Sequence, residues 1–331
     1  MRRGPRQRLE PGWPGVAPWA VALLGCAPSA AGAPDLTADP HRAPLEAIAA
    51  EALPDLGDAA AVLRLEDGRL IFEHHPEVLA KDRVSPGSVV KLITAYALLR
   101  AGREDTEYRC GGSHTDRQGQ VRPCWLRSGH GRLRLRTALA MSCNAWFYQA
   151  SEDLQPPELI GLMAQFGLGA AWPSERSIAT DLVPAVVPAS EVPDLAIGDH
   201  PLLAVTPLSL LRMVSVIATR GSRITPARDG PAGVERLALD RSALEIVALG
   251  MEEATRGGTL EGTFEVPNVA AKSGTAKRLG GRGTRGFVVG YLPADAPRFA
   301  FVVVKDRGRG AKDAGPAAAA MARALTLRGA R

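Results

Sequence analysis

At 331 residues, with 46% apolar and only 5% aromatic residues, the chain can bury a sizeable core as one large domain or two smaller ones. Its net charge of +5 is concentrated at the start, where Arg2, Arg3, Arg6 and Arg8 against Glu10 give +3 and leave +2 for the rest. That excludes an electrostatic footprint for nucleic acid.

The first 26 residues read as a signal peptide or lipoprotein leader. The basic stretch is followed by an apolar run over 16–25 that is too short to span a bilayer, and then by Cys26. Leu23-Leu-Gly-Cys26 resembles a bacterial lipobox, in which Cys26 is lipidated and becomes the mature N-terminus. The rival is cleavage after Ala31-Gly-Ala33, which has the small-x-small form. Either way the expectation is an exported, periplasmic protein, anchored through Cys26 in the first case. Residues 27–43, small, polar and Pro-rich, predict a linker, and 44–331 predict one catalytic-sized domain.

Within that domain a first helix is predicted over 44–53. A hairpin follows over 59–74, with Asp67-Gly68 at its turn. The stretch 88–100 is helical, entered through the Pro86-Gly87 loop. Residues 101–132, rich in Gly, Cys and His, predict no regular structure. Helices are predicted over 133–151, 157–166 and 207–219. Strands follow over 269–278, 286–291 and 298–305, and a closing helix over 317–327. Strands from both ends of the chain predict an α+β fold, one antiparallel sheet flanked by N- and C-terminal helices.

The first chemical motif is Ser88-Val-Val-Lys91, at a loop-to-helix junction. Residues i and i+3 share a helix face, so the Lys91 amine can reach the Ser88 hydroxyl. A serine needs an adjacent base to become a nucleophile, and a lysine serves as one only when neutral, so its surroundings must depress its pKa. The free N–H groups and positive dipole at a helix start favour a developing oxyanion. Alone the motif is weak, because an N-cap serine followed by a surface lysine looks the same. Two further elements follow in order, Ser142-Cys-Asn144 and Lys272-Ser-Gly-Thr275. Together the three make the S-x-x-K, S-x-N and K-[ST]-G set of penicillin-recognising serine enzymes.

Flanking residues sharpen the resemblance. Pro86-Gly-Ser-Val-Val-Lys91, Ala138-Leu-Ala-Met-Ser-Cys-Asn-Ala-Trp-Phe-Tyr148, Val205-Thr-Pro-Leu-Ser-Leu210, Ala271-Lys-Ser-Gly-Thr-Ala276 and Gly286-Phe-Val-Val-Gly-Tyr-Leu-Pro293 resemble the transpeptidase domain of elongation-type class B penicillin-binding proteins. The resemblance covers about residues 59–325. It implies the penicillin-binding transpeptidase/β-lactamase-like fold, with an all-helical subdomain, and a peptidoglycan D,D-transpeptidase that forms an acyl-serine with D-Ala-D-Ala stem peptides and binds β-lactams covalently.

The roles it implies can be carried over residue by residue. Ser88 attacks the penultimate D-Ala carbonyl and Lys91 takes its proton. Ser142 relays a proton to the departing D-Ala, and Asn144 holds the substrate amide and Lys91. Lys272, Ser273, Gly274 and Thr275 bind the terminal carboxylate side, and the N–H groups of Ser88 and Thr275 form the oxyanion hole. The partners implied are stem peptides, β-lactams and a membrane glycosyltransferase. The alternatives are a D,D-carboxypeptidase, a serine β-lactamase, or a β-lactam or peptidoglycan sensor that does not turn over. Asn144 argues against class D lactamases, which usually carry an apolar residue there. The family often has Gly-Gln-Gly-like residues where this chain has Ile197-Gly-Asp-His200, and no counterpart of its pedestal domain is expected in these residues.

Cys110, Cys124, His130 and Cys143 offer three thiolates and an imidazole, a set that satisfies tetrahedral zinc. The spacings are wider than in finger-type sites, and His114 competes as a ligand. The rival is a Cys110–Cys124 disulfide, expected in an oxidising compartment, with Cys143 as a small buried hydrophobe. The resemblance favours structural zinc, because elongation-type enzymes are similar in carrying a metal-ligand set that includes the second-motif cysteine and a Gly-His-Gly histidine, here Gly129-His-Gly131. No catalytic cofactor is implied.

Overall fold

The structure is a computed structural model and describes residues 39–170, 172, 178–228, 232–279 and 281–327. The leader, Cys26, the alternative cleavage site and most of the linker lie outside them.

Helix α1 (Arg42–Ala52) precedes the hairpin of β1 (Ala59–Arg64) and β2 (Leu70–His74), and a short α2 (Pro76–Lys81) follows. Gly68 closes the turn with φ +69°, a backbone angle open to glycine. After α3 (Lys91–Arg100), the stretch predicted to be irregular instead holds four three-residue strands. These pair as β3 (Tyr108–Cys110) with β6 (Gly131–Leu133), and β4 (Ser113–Thr115) with β5 (Val121–Pro123).

The helix predicted over 133–151 is two helices, α4 (Leu135–Ala140) and α5 (Asn144–Ser151). Ser142 separates them with φ +51°, and Cys143 caps α5 by accepting a hydrogen bond from Trp146 N at 3.4 Å. The next elements are α6 (Pro156–Gln165), α7 (Val192–Ala196) and α8 (Pro207–Ala218). A hairpin of β7 (Ser222–Thr225) and β8 (Gly233–Arg236) and then α9 (Arg241–Gly257) were not anticipated. The signal for α9 was present: Asp240 accepts from Ser242 N and Ala243 N as N-cap, and Ala243, Leu244, Val247, Ala248, Met251 and Ala254 make one buried face. The chain closes with β9 (Ala270–Lys277), β10 (Thr284–Leu292), β11 (Phe299–Lys305) and α10 (Gly315–Leu327).

These strands make one antiparallel sheet in the order β2-β1-β11-β10-β9. Side chains alternate across it, as a strand's period of two requires. Ala60 and Val62 face a core layer with Leu45 of α1 and Met321 of α10. Ala59, Ala61 and Leu63 face the larger core built on α3, α4, α5, α8 and α9. Every residue of α8 is buried, so this helix is the spine of the second layer. Its start is fixed by Thr206, whose hydroxyl accepts from Ser209 N at 3.2 Å, and by Pro207 in the first turn. Strand β9 is left as one edge of the sheet, and the turn before α3 lies along it. Among the described residues no helix is long and apolar enough to cross a membrane.

Candidate active site

Ser88 sits in a 3₁₀ turn, Gly87–Val89, that runs into α3. The turn is held from behind by the 197–200 stretch. Gly87 N donates to Gly198 O at 3.2 Å, and Ser85 Oγ donates to the same carbonyl at 2.8 Å. The approach is tight enough to demand glycine at 198, and the backbone angle favours glycine at 87 as well. Gly87 has φ +51° and Gly198 φ +77°, and a Cβ on Gly198 would lie 2.2 Å from Gly87 O. Ser88 is half-buried and opens onto a cleft of about 500 Å³, which it lines together with Ser142, Asn144, Ser273, Gly274 and Thr275.

The Lys91 amine is directed at the second motif. Its Nζ donates to Ser142 O at 2.8 Å and to Asn144 Oδ1 at 2.5 Å, and lies 3.5 Å from Ser142 Oγ. The left-handed residue between α4 and α5 is what turns the Ser142 carbonyl and hydroxyl toward it. Lys91 is fully buried, and burial pushes its pKa down to about 7, opposed by the Cys143 and Cys124 thiols nearby. A neutral amine has two N–H groups, which match the two carbonyl oxygens, and one lone pair that remains to take a proton.

Lys272 approaches Ser142 from β9. Its Nζ donates to Ser142 Oγ at 2.8 Å and to Ser273 O at 2.7 Å. Burial and then the neighbouring Lys91 hold its pKa well below the ordinary lysine value. Lys272 is therefore wholly enclosed, while Ser273, Gly274 and Thr275 face the cleft. The Ser273 hydroxyl is paired with Thr259 Oγ1 at 3.0 Å, and Thr275 Oγ1 accepts from Gly310 N at 3.0 Å.

Trp125 also lines the cleft and was not singled out by its sequence, since nothing in a Cys-Trp pair marks it. Its side chain is 54% exposed although large and apolar. Its indole N–H donates to Ser142 O at 3.1 Å, the carbonyl that Lys91 also uses, and to Met141 O at 3.2 Å.

Behind this wall the four predicted ligands come together. One donor atom from each of Cys110, Cys124, His130 and Cys143 lies within 4.8 Å of all the others. His130 Nδ1 is 3.5 Å from Cys110 Sγ and 3.6 Å from Cys124 Sγ, and the Cys124 and Cys143 sulfurs are 3.9 Å apart. Zinc bonds of about 2.3 Å to sulfur and 2.0 Å to nitrogen imply tetrahedral edges of roughly 3.5 to 3.8 Å, so the donor set fits such an ion. All three cysteines are free thiols. The hydrogen bond from Cys143 pulls the Cys124 thiol down to about 4 and raises Cys143 in turn, as when two sulfurs share one proton. His114 stands apart, bonded to Glu152 at 2.8 Å. Arg122 ties the β4–β5 hairpin to α7. It is bonded to Asp116 at 2.9 Å and to Asp194, and its guanidinium lies 5.5 Å from the centre of the Tyr148 ring.

Residues 74–327 match the family model described as the penicillin binding protein transpeptidase domain. The chain is 26% identical over 278 residues to the peptidoglycan D,D-transpeptidase MrdA of Acinetobacter baumannii, covering 68% of this chain and 39% of that protein. The fold is similar to the TP domain of penicillin-binding protein 3 from Burkholderia pseudomallei, with a TM-score of 0.75 and 22% identity over 87% of this chain and 94% of that one. It is also similar to a chain of a peptidoglycan synthase complex that coordinates polymerization and crosslinking, with a TM-score of 0.75 and 25% identity over 88% and 62% of the two chains. The chain spans 39 to 57% of the length of the curated relatives it matches.

Proposed function

The chain belongs to the penicillin-binding protein transpeptidase domain family, and from that premise we propose that it is a peptidoglycan D,D-transpeptidase with Ser88 as nucleophile. The observation that carries the reading is the Lys91 amine. It is buried and poised near neutrality, and it is held by Ser142 and Asn144 one helical turn from Ser88. A group with such a pKa, beside a hydroxyl in a cleft, is what general-base catalysis needs.

In this mechanism Ser88 Oγ attacks the penultimate D-Ala carbonyl of a stem peptide as its proton passes to Lys91 Nζ. The oxyanion is met by the Ser88 and Thr275 N–H groups. The C–N bond then breaks, and the departing D-Ala amine takes a proton from Ser142 Oγ, which regains it from Lys91 Nζ and so returns that amine to its neutral form. An acceptor amine, deprotonated by the same lysine, attacks the acyl-serine and releases Ser88. The relative in a peptidoglycan synthase complex supports a membrane glycosyltransferase as partner. The basic and apolar leader supports export to the periplasm, with anchoring through Cys26.

The three thiols and His130 would hold a structural zinc ion. It would displace the thiol protons and fix the loop carrying Trp125.

Fluorescent penicillin labelling of the wild type and Ser88→Ala, followed over hours, tests the reading. Stable label lost in the variant is expected. Rapid loss of label would make the protein a β-lactamase, and an unlabelled wild type would remove the catalytic claim. Metal analysis of the purified protein should give one zinc per chain, whereas a Cys110–Cys124 disulfide without zinc would overturn that part.

A further inference from the structure

The carboxylate that every D-Ala-D-Ala donor and every penicillin carries needs a positive charge to attract it. Lys272, the lysine of the third motif, is poorly placed to supply one. It is fully buried, its Nζ is spent on Ser142 Oγ and Ser273 O, and it stands beside a second buried lysine. The charge at the mouth of the cleft comes from elsewhere. Arg309 and Lys312, at the start of and within the π-helical turn Gly310–Ala314 between β11 and α10, both line the cleft, and both are exposed. Among the described residues neither side chain has a hydrogen bond or an acidic partner. The acids next to them in sequence are committed: Asp306 to Arg278 and Arg285, and Asp313 through Oδ2 to the backbone Arg309 N at 2.6 Å. Among the described residues no carboxylate lines the cleft. The turn is also fixed against the third motif, because Gly310 N donates to Thr275 Oγ1. The two cations therefore sit a residue or two from a backbone contact with the strand that receives the substrate.

We propose that Arg309 and Lys312 form an anion-binding rim that draws in and holds a carboxylate of the acyl donor, so that this cleft selects anionic donors. The proposal rests on the acyl-transfer reading above. The carboxylate is either the terminal one, next to the scissile bond, or one on a side chain further back in the stem peptide. Cations facing a low-dielectric cleft raise the encounter rate of anions, and the gain falls with salt. The rim therefore acts on binding and leaves the chemical step at Ser88 alone.

The test is the acylation rate of wild type and of the Arg309→Gln/Lys312→Gln double variant at low and high salt. The two ligands are benzylpenicillin, with one carboxylate, and carbenicillin, the same molecule with a second carboxylate on its side chain. At low salt the variant should lose roughly five- to tenfold in second-order rate. Its limiting first-order rate should stay unchanged, and its salt dependence should flatten. An equal loss for both ligands assigns the rim to the terminal carboxylate, and a larger loss for carbenicillin assigns it to a side-chain carboxylate. Unchanged rates at every salt concentration overturn the proposal. Both side chains are exposed, so the variant should fold. A wild type that is not acylated at all brings down the acyl-transfer reading, and the rim is then decided by equilibrium binding to the Ser88→Ala protein. Preference for a peptide ending in D-Ala-D-Ala free acid over its C-terminal amide, lost on adding the double substitution, sustains it. Equal binding of acid and amide overturns it.

Discussion

Two ammonium groups cannot both stay charged where Lys91 and Lys272 sit, on opposite sides of one serine hydroxyl and away from water. Burial alone makes the charged forms costly, and the two lysines make each other's charge costlier. The result is an amine whose neutral form is accessible at ordinary pH, as a base for Ser88 must be. Because Lys91 titrates near 7 and acts when deprotonated, the rate of acylation by penicillin should rise about tenfold per pH unit below 7 and level off above it. A rate flat from pH 5 to 8 would contradict its role. Lys91→Ala should lower acylation by orders of magnitude while leaving the fold intact, since it removes a cost of burial along with the base; normal labelling would exclude the lysine as base.

The elements nearest this chemistry were the least legible in sequence. The apolar pattern over 133–151 reads as one helix because a left-handed serine carries no compositional mark, yet the break at Ser142 is what aims its hydroxyl and carbonyl at the lysines. The strands over 108–133 are three residues long, too short for periodicity to register, and their antiparallel pairing is reinforced by side chains. The long strands β9, β10 and β11 and helix α8, with sustained apolar patterns, were legible. So were the motif residues that line the cleft, whereas Trp125, Arg309 and Lys312 were not, because only the fold brings them there. Arg122 shows how such short elements hold. Arg122→Ala would leave the Asp116 carboxylate only its bonds from Gln118 N and Gln120 N, so the midpoint in denaturant titration should fall. The same arginine reaches Asp194 of α7, and α7 leads into Gly198 behind the nucleophile turn. Gly198→Ala, whose Cβ would strike Gly87 O, should therefore slow acylation as well as destabilise; an unchanged acylation rate would mean that the turn does not depend on this support.

At the scale of the whole molecule, the first and last thirds of the chain share one sheet, with β1 hydrogen-bonded to β11 across more than two hundred residues of sequence. Neither third can complete its core alone, so 44–331 should unfold as a single cooperative unit, although the sheet has different tasks on its two sides. The layer made by α1 and α10 lies across the sheet from α3, α4 and α5, the helices that carry or adjoin Ser88, Lys91 and Asn144. Met321 is fully buried in that outer layer and does not line the cleft. Met321→Ala should cost about 2–5 kcal/mol through lost contacts and the cavity left behind, and it should shift one unfolding transition without splitting it. In native buffer the surviving folded protein should be acylated by penicillin at the wild-type rate, within about twofold. Two resolved transitions would mean that the sheet does not bind the ends of the chain into one unit. A large fall in acylation rate would mean that the outer layer sets the geometry of the nucleophile turn through β9, and that the two faces are not separable.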